Sequence, residues 1–558
     1  MNKLLLFAVG FLLTGGLRAQ SPYYDNFPFT DADSLRGALR PERTGYDVTF
    51  YDLEIELDMN REAIEAGQVR MEFRLLEAME ELQFDLFANM ELHSVLLNGR
   101  TIEGIRREHN AVFVPLPNGL SVADHRIHQL EINYSGSPIK AQNAPWDGGF
   151  VWARDRRDRR WMGVACEGTG ASLWWPNKDH LSDEPDSMRI SVTVPERYFV
   201  ASNGNLRETV ELEDERKKRY DWLVSYPINN YNVSITVGHY VHFEDTYTSP
   251  NGEELAMDYY VLDYNEAKAR KHFRQSPGVL EAFEHYFGPY PFWKDGFALI
   301  ETPYLGMEHQ SGIAYGNQYM RGYLGGMIPR GMDWDYIIVH ETGHEYFGNS
   351  ISVPDHAEMW IHESFTTYME ALYVEYHHGP EAAKGYLRMQ RPYILNREPI
   401  LGPLDVNFDD WQGSDHYYKG SWMLHSLRHA IGDDVRWWSL LRGFYTQHAM
   451  QTVDTEMAID YFVQASEHTW VRPFFEQYLR HPALPVLELK STNPRGRGLV
   501  SYRWVTQTEG FAMPISISVG GSNQRIQPNQ EWQELGREEI NEIEVPADRF
   551  LIKVRIVD

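Results

Sequence analysis

The stretch Tyr336-Ile337-Ile338-Val339-His340-Glu341-Thr342-Gly343-His344 places two histidines four residues apart behind an apolar run. On a helix, positions i and i+4 share a face, so both imidazoles can serve one metal ion while Glu341 reaches water beside it. Glu363 lies nineteen residues beyond His344, in a segment where Ile361, Phe365, Tyr368, Leu372 and Tyr376 recur at helical spacing and Gly379-Pro380 ends the run. Two packed antiparallel helices bring Glu363 back beside the histidines. Two His and one Glu leave a fourth position open, which is the donor set of a catalytic rather than a structural zinc. One Zn2+ per chain is expected. Other divalent metals accept the same atoms, and the bland alternative is a helix with two solvated histidines. Zinc brings the pKa of water to about 7, and Glu341 is placed to take the proton as that water attacks a carbonyl.

The 558 residues carry 52 Lys+Arg against 80 Asp+Glu, a net charge of −28, with 42% hydrophobic residues. That composition excludes a disordered, collagenous or multi-span chain. The negative excess argues against nucleic acid and anionic lipid as partners. A single cysteine, Cys166, rules out an intramolecular disulfide and any cysteine-rich metal site, so a metal falls to His, Asp or Glu. At the N-terminus, Lys3, the apolar run Leu4 to Leu17 and the Leu17-Arg18-Ala19 step read as a signal peptide over 1–20, with an uncleaved anchor as the alternative. An exported protein, periplasmic or secreted, is expected, with no membrane contact after cleavage and a monomer favoured.

Outward from the metal segment, the period changes twice. Leu53, Ile55 and Leu57 alternate with Glu54, Glu56 and Asp58, and Asn98-Gly99 is a two-residue hairpin signal. Residues 21–240 therefore read as an antiparallel β domain. Within it, Arg154 to Arg160 (RDRRDRR) reads as a solvated loop. Residues 241–483 are mostly helical, and 484–558 alternate again, enough for a small β-sandwich. The fold class is multidomain α+β.

The His340, His344, Glu363 spacing resembles the HExxH-x18-E pattern of the gluzincin aminopeptidases, peptidase family M1, which includes aminopeptidase N and leukotriene hydrolase. Two further segments carry the resemblance. Pro303-Tyr304-Leu305-Gly306-Met307-Glu308-His309 resembles the GxMEN exopeptidase motif, and Tyr417-Tyr418-Lys419-Gly420 resembles the Y-x-K-G segment. The resemblance implies a thermolysin-like zinc domain over 241–483, an Ig-like sandwich over 484–558, and peptides with a free N-terminus as substrates. It also implies roles. Glu308, with Glu167 from the N-terminal domain, would bind the substrate's α-amino group. Tyr417 would donate to the oxyanion, with Tyr418 as the weaker candidate. Gly306 and Met307 would lie along the substrate, and Tyr304 would wall the first side-chain pocket. Lys419 reads as a structural ion pair and Cys166 as a packed thiol.

The sequence departs from the family at two places. His309 stands where the family has Asn, so local hydrogen bonding must differ. A long helical C-terminal domain does not follow the last strands, which implies a more open cleft. The leading expectation is a zinc aminopeptidase. The alternatives are a thermolysin-type endopeptidase, which the carboxylates Glu308 and Glu167 disfavour, and a non-catalytic exported binding protein, which the intact ligand set disfavours.

Overall fold

The computed structural model describes residues 22–25, 27–117, 120, 122, 126–212 and 216–558. Residues 1–20, read above as a signal peptide, lie outside the described residues.

The first large element is an eight-stranded sheet. Its central strands are Tyr46–Asp58 and Ala63–Leu75, paired antiparallel. Leu53, Ile55 and Leu57 are buried there, and Glu54 is exposed, as period two dictates. The hairpin between Met90–Leu97 and Arg100–Thr101 turns at Asn98 and Gly99, both at positive φ (50° and 77°), the geometry of a type I′ turn. The expected all-antiparallel pairing fails at one place. Tyr46–Asp58 runs parallel to Ser187–Pro195, with Phe50 opposite Ser187 and Ile55 opposite Val192. The two strands are separated by a long crossover that includes two strands of a second sheet, so no hairpin constrains their direction.

That second sheet has four strands, Phe199–Ser202, Ile235–Gly238, Arg160–Ala165 and Gly149–Arg154. The basic run 154–160 is the hairpin turn between the last two, and it is not a free solvated loop. Arg159 pairs with buried Asp155 and with Asp263, both at 2.7 Å, and Arg156 lies 3.7 Å over the Tyr264 ring. An opposite charge 104 residues from Arg159, on Asp263, folds the run onto its neighbour.

A five-stranded mixed sheet follows, in the order Tyr240–Thr248, Glu254–Leu262, Phe297–Glu301, Ile313–Tyr315, Gly306–Met307. The two-residue strand Gly306–Met307 is the sheet's edge, paired only to Ile313–Tyr315. Against this sheet packs the helix Tyr336–His344; Ser276–Phe287 and Trp360–His378 pack on that helix, and Asp415–Ile431 packs on Trp360–His378. The helix Trp360–His378 buries fifteen consecutive residues, Trp360 to Val374, because it is surrounded by other elements, and Gly379 at φ 85° ends it before Pro380. Residues 486–556 form two further sheets of four and three strands. One continuous apolar cluster runs through all these regions. Among the described residues, no helix is long and apolar enough to cross a membrane.

Candidate metal centre and amine site

The helix Tyr336–His344 is only nine residues long, so its start must be fixed from outside. Asp335 caps it, accepting from the backbone N–H of Ile337 (2.9 Å) and Ile338 (3.4 Å). The same carboxylate accepts from His272 and from the Tyr315 hydroxyl, each at 2.7 Å. The cap is thereby tied to the five-stranded sheet, and the sheet sets where His340 and His344 point.

The Nε2 atoms of His340 and His344 lie 3.1 Å apart. Glu363 Oε2 is 3.5 Å from the first and 3.4 Å from the second. All three residues are buried, and Glu363 Oε2 has no hydrogen-bond partner. An orphaned carboxylate oxygen facing two imidazole nitrogens in the interior is the signature of a cation site. The other ring nitrogens are occupied. His340 Nδ1 donates to Glu370 Oε1 at 2.7 Å, and His344 Nδ1 donates to the Phe347 carbonyl at 2.9 Å. Both imidazoles therefore present Nε2 lone pairs inward, as metal-bound histidines require. Burial opposes ionisation of Glu363, but His344 and His340 outweigh it and hold the carboxyl well below its usual range. The set His340, His344, Glu363 fits zinc.

Glu341 sits on the same turn. Burial pushes its carboxyl up to about 8, against the pull of His340 and His344. Gly306 is opposite: a Cβ there would lie 2.7 Å from Glu341 Oε1 and 2.8 Å from Ile337 Cγ2. The edge strand thus approaches the metal helix as closely as glycine permits. Met307 beside it is buried in the same strand.

Glu308 follows directly. Its Oε1 accepts from the Tyr231 hydroxyl at 3.0 Å, and its carbonyl accepts from Asn349 Nδ2 at 2.8 Å. Carboxylate and imidazole atoms of Glu308, Glu341 and His344 lie within 4.8 Å of one another. Glu167, brought in by the chain after Arg160–Ala165, hydrogen-bonds to Glu308, and its Oε1 is otherwise unpartnered. Burial first, and then Glu308, Glu363 and Asp409, raise the Glu167 carboxyl well above its usual range.

Tyr417 completes the ring of groups. Its ring stacks 6.2 Å from that of His340, and its hydroxyl hydrogen-bonds to Glu363. Gly420 makes this possible: a Cβ there would strike Ser364 Oγ at 1.7 Å, so the helix Asp415–Ile431 lies directly on Trp360–His378. Tyr418 points elsewhere, with its ring 5.3 Å from Tyr393. Lys419 is not in an ion pair. It is buried, donates to the carbonyls of His481 (2.7 Å) and Pro482 (3.1 Å), and burial lowers its pKa to about 8. Tyr304 is buried, and its hydroxyl donates to the Val164 carbonyl at 2.8 Å across the seam with the four-stranded sheet. Cys166 is a buried thiol donating to the Tyr231 carbonyl at 3.4 Å, and burial pushes its pKa up. His309 is buried with Nε2 unpartnered, and burial holds its pKa down to about 3, so it is neutral.

Several residues at the site were not singled out from the sequence. Glu370 lies two helical turns beyond Glu363 on the same face, a spacing that could have marked it. Tyr231, Asn349 and Asp409 had no local signal. Asp409 lies against Gly168, next to Glu167, and only the return of a distant loop brings it there.

Residues 272–478 match the model of the peptidase family M1 domain. That segment of the chain is similar to the peptidase family M1 domain. The chain is 23% identical over 270 residues to aminopeptidase B of Mus musculus, covering 45% of this chain and 39% of that protein. It thus spans about two-fifths of the length of the curated relatives it matches most strongly. Among solved structures, the M1 zinc metallopeptidase of Deinococcus radiodurans superimposes with a TM-score of 0.64 at 18% identity, covering 79% of this chain and 94% of that one. Aminopeptidase A of Legionella pneumophila, in complex with aspartic acid, gives a TM-score of 0.73 at 15% identity, covering 92% and 60%. At these identities the solved structures speak to the fold. The M1 fold is thus present, with its β-rich N-terminal region and helical zinc-site region.

Proposed function

We propose that this chain is a zinc aminopeptidase that releases the N-terminal residue of peptides. One observation carries the reading: the paired carboxyls Glu308 and Glu167 lie beside the three-residue zinc site, close enough that Glu308, Glu341 and His344 share one small volume. A mid-chain peptide has nothing to offer buried Glu308 and half-buried Glu167, and covering both carboxyls with it costs free energy. A terminal ammonium satisfies both and fixes the scissile carbonyl one residue away.

His340, His344 and Glu363 would hold the zinc, which supplies Lewis acidity toward a carbonyl and toward water. The remaining work falls to the chain. Glu341, with its raised pKa, accepts a proton from the attacking water and returns it to the leaving amine. Tyr417 keeps its proton, because burial and then Glu363 and Glu167 hold its pKa well above the usual value, and donates it as a hydrogen bond to the developing oxyanion. Glu308 and Glu167 hold the ammonium, with Tyr231 orienting Glu308. Gly306 and Met307 offer the backbone of an unpaired sheet edge to an extended substrate.

The same reading divides the chain into an exported precursor's signal over 1–20, a β domain to 240, the zinc domain over 241–483, and a C-terminal β-sandwich made by the two sheets of 486–556. A periplasmic or secreted peptidase of this kind acts on peptides outside the cytoplasm.

The test is cleavage of an aminoacyl aminomethylcoumarin with a free amine against its N-acetylated form. Selective cleavage of the free amine, lost in Glu341→Gln and after chelation, is expected. Equal cleavage of both forms points to an endopeptidase, and no cleavage with zinc bound points to a binding protein.

A further inference from the structure

A cavity of about 460 Å³ opens beside the proposed active site, where the hairpin Gly149–Ala165 meets the five-stranded sheet. Leu305, the residue before Gly306, forms part of its wall, as do Arg154, Arg156 and Lys268. Its two acids are already committed. Asp155 is buried and accepts from Arg159 Nε at 2.8 Å and from two backbone N–H groups. Glu301 is buried and accepts from Leu262 N–H at 2.8 Å and from Asn265 Nδ2 at 2.6 Å.

The cations are not committed in the same way. Arg156 stacks on Tyr264 and donates to that residue's carbonyl at 3.2 Å, and Lys268 donates to the Gln318 carbonyl at 2.7 Å. Among the described residues neither is in an ion pair. Arg154 pairs only with Asp158 at the exposed rim. A second cavity of about 470 Å³ shares Lys268 and adds Lys271, Arg274 and Arg321 to its lining, against one acid, Asp333. A continuous basic trough on a chain of net charge −28 runs against the field of the whole molecule.

The position of the trough follows from the site. With its ammonium on Glu308 and its first carbonyl at Glu341, a substrate extended along the edge strand advances from Glu308 through Gly306 to Leu305. Its next residues then leave the strand into the cavity, at about 3.3 Å per residue. We propose that this trough is a subsite for carboxylate groups of the peptide downstream of the scissile bond, from about the third residue onward, with Arg156 and Lys268 as its specificity-determining residues. The proposal rests on the aminopeptidase reading.

The experiment compares Ala-Ala-Ala-Glu-Glu with Ala-Ala-Ala-Lys-Lys, each also C-terminally amidated, and alanyl aminomethylcoumarin, which ends before the trough. Zinc-loaded wild type is expected to favour the acidic peptide by about 3–10-fold in kcat/KM, a range set by two exposed ion pairs, and to lose the preference at 1 M salt. Loss of preference on amidation assigns the subsite to the terminal carboxylate, and its persistence assigns it to side chains. Arg156→Glu and Lys268→Glu should abolish or invert the preference with the coumarin rate and Tm unchanged. If either misfolds, Arg156→Gln and Lys268→Gln serve. Equal rates for the two peptides in wild type, or a preference untouched in every variant, overturn the subsite while coumarin cleavage upholds the aminopeptidase. Failure to cleave any of the three overturns both.

Discussion

Glu370 Oε1 accepts from His340 Nδ1 at 2.7 Å, and its Oε2 accepts from the Tyr386 hydroxyl at 2.5 Å. The carboxylate is fully buried and orients the ring whose opposite nitrogen faces Glu363. Removing such a support costs roughly 10–100-fold in metal affinity. Glu370→Gln is therefore expected to lose zinc to a competing chelator at correspondingly lower concentration. Isothermal or fluorescent chelator competition measures it. An unchanged affinity would remove Glu370 from the metal site's support.

The close approach at Gly306 yields a second prediction. In Gly306→Ala the new methyl meets Glu341 Oε1 and Ile337 at under 3 Å. The strand is an edge and can shift, so Tm should change little. A displacement of about 1 Å between edge strand and Glu341 should cost about 10²-fold in kcat. Kinetics with a short aminoacyl amide, alongside a melting curve, separates the two effects.

Tyr417 and Tyr418 are adjacent in sequence and differ in direction. Tyr417→Phe is expected to lower kcat about 10²–10³-fold with zinc content unchanged, as removal of an oxyanion donor does. Tyr418→Phe should stay near wild type. The reverse ranking would transfer the role to Tyr418.

His309 gives a pH prediction. Its native pKa is held to about 3 by burial, below the ordinary 6.5 of the unfolded chain. Between those values the unfolded state binds the extra proton, so wild-type stability falls as pH drops through that window. His309→Asn lacks this loss. Its stability relative to wild type should rise by about 2 kcal/mol on going from pH 7 to pH 5, at 1.36 kcal/mol per pH unit below 6.5. Denaturant titrations of both proteins at the two pH values give the difference directly. A relative stability independent of pH would mean that His309 is protonated in the folded chain.

Much of the zinc site was legible without coordinates. The i, i+4 histidines and the helical period around Glu363 are local patterns, and helix geometry converts them into shared faces. The strand alternation at Leu53 to Leu57 and the Asn98-Gly99 turn are local in the same sense. What the sequence could not indicate involves residues that meet across long loops. The parallel pairing of Tyr46–Asp58 with Ser187–Pro195 is one such case. The union of Glu167 and Tyr231 with Glu308 is another. The burial of Lys419 against two carbonyls, and the folding of the basic run onto Asp263 and Tyr264, are of the same kind.

By itself, then, the sequence determined the candidate metal ligands, the acid beside them and the order of β and helical regions, because those depend on periodicities of 3.6 and 2.0 residues that each segment carries alone. The tertiary structure decided which tyrosine faces the candidate metal ligands, how Glu167 meets Glu308, and where a cavity lined by Arg156 and Lys268 opens beside Leu305. Those depend on how closely one backbone can approach another, at Gly306 and Gly420 above all, and that distance is a property of two segments together.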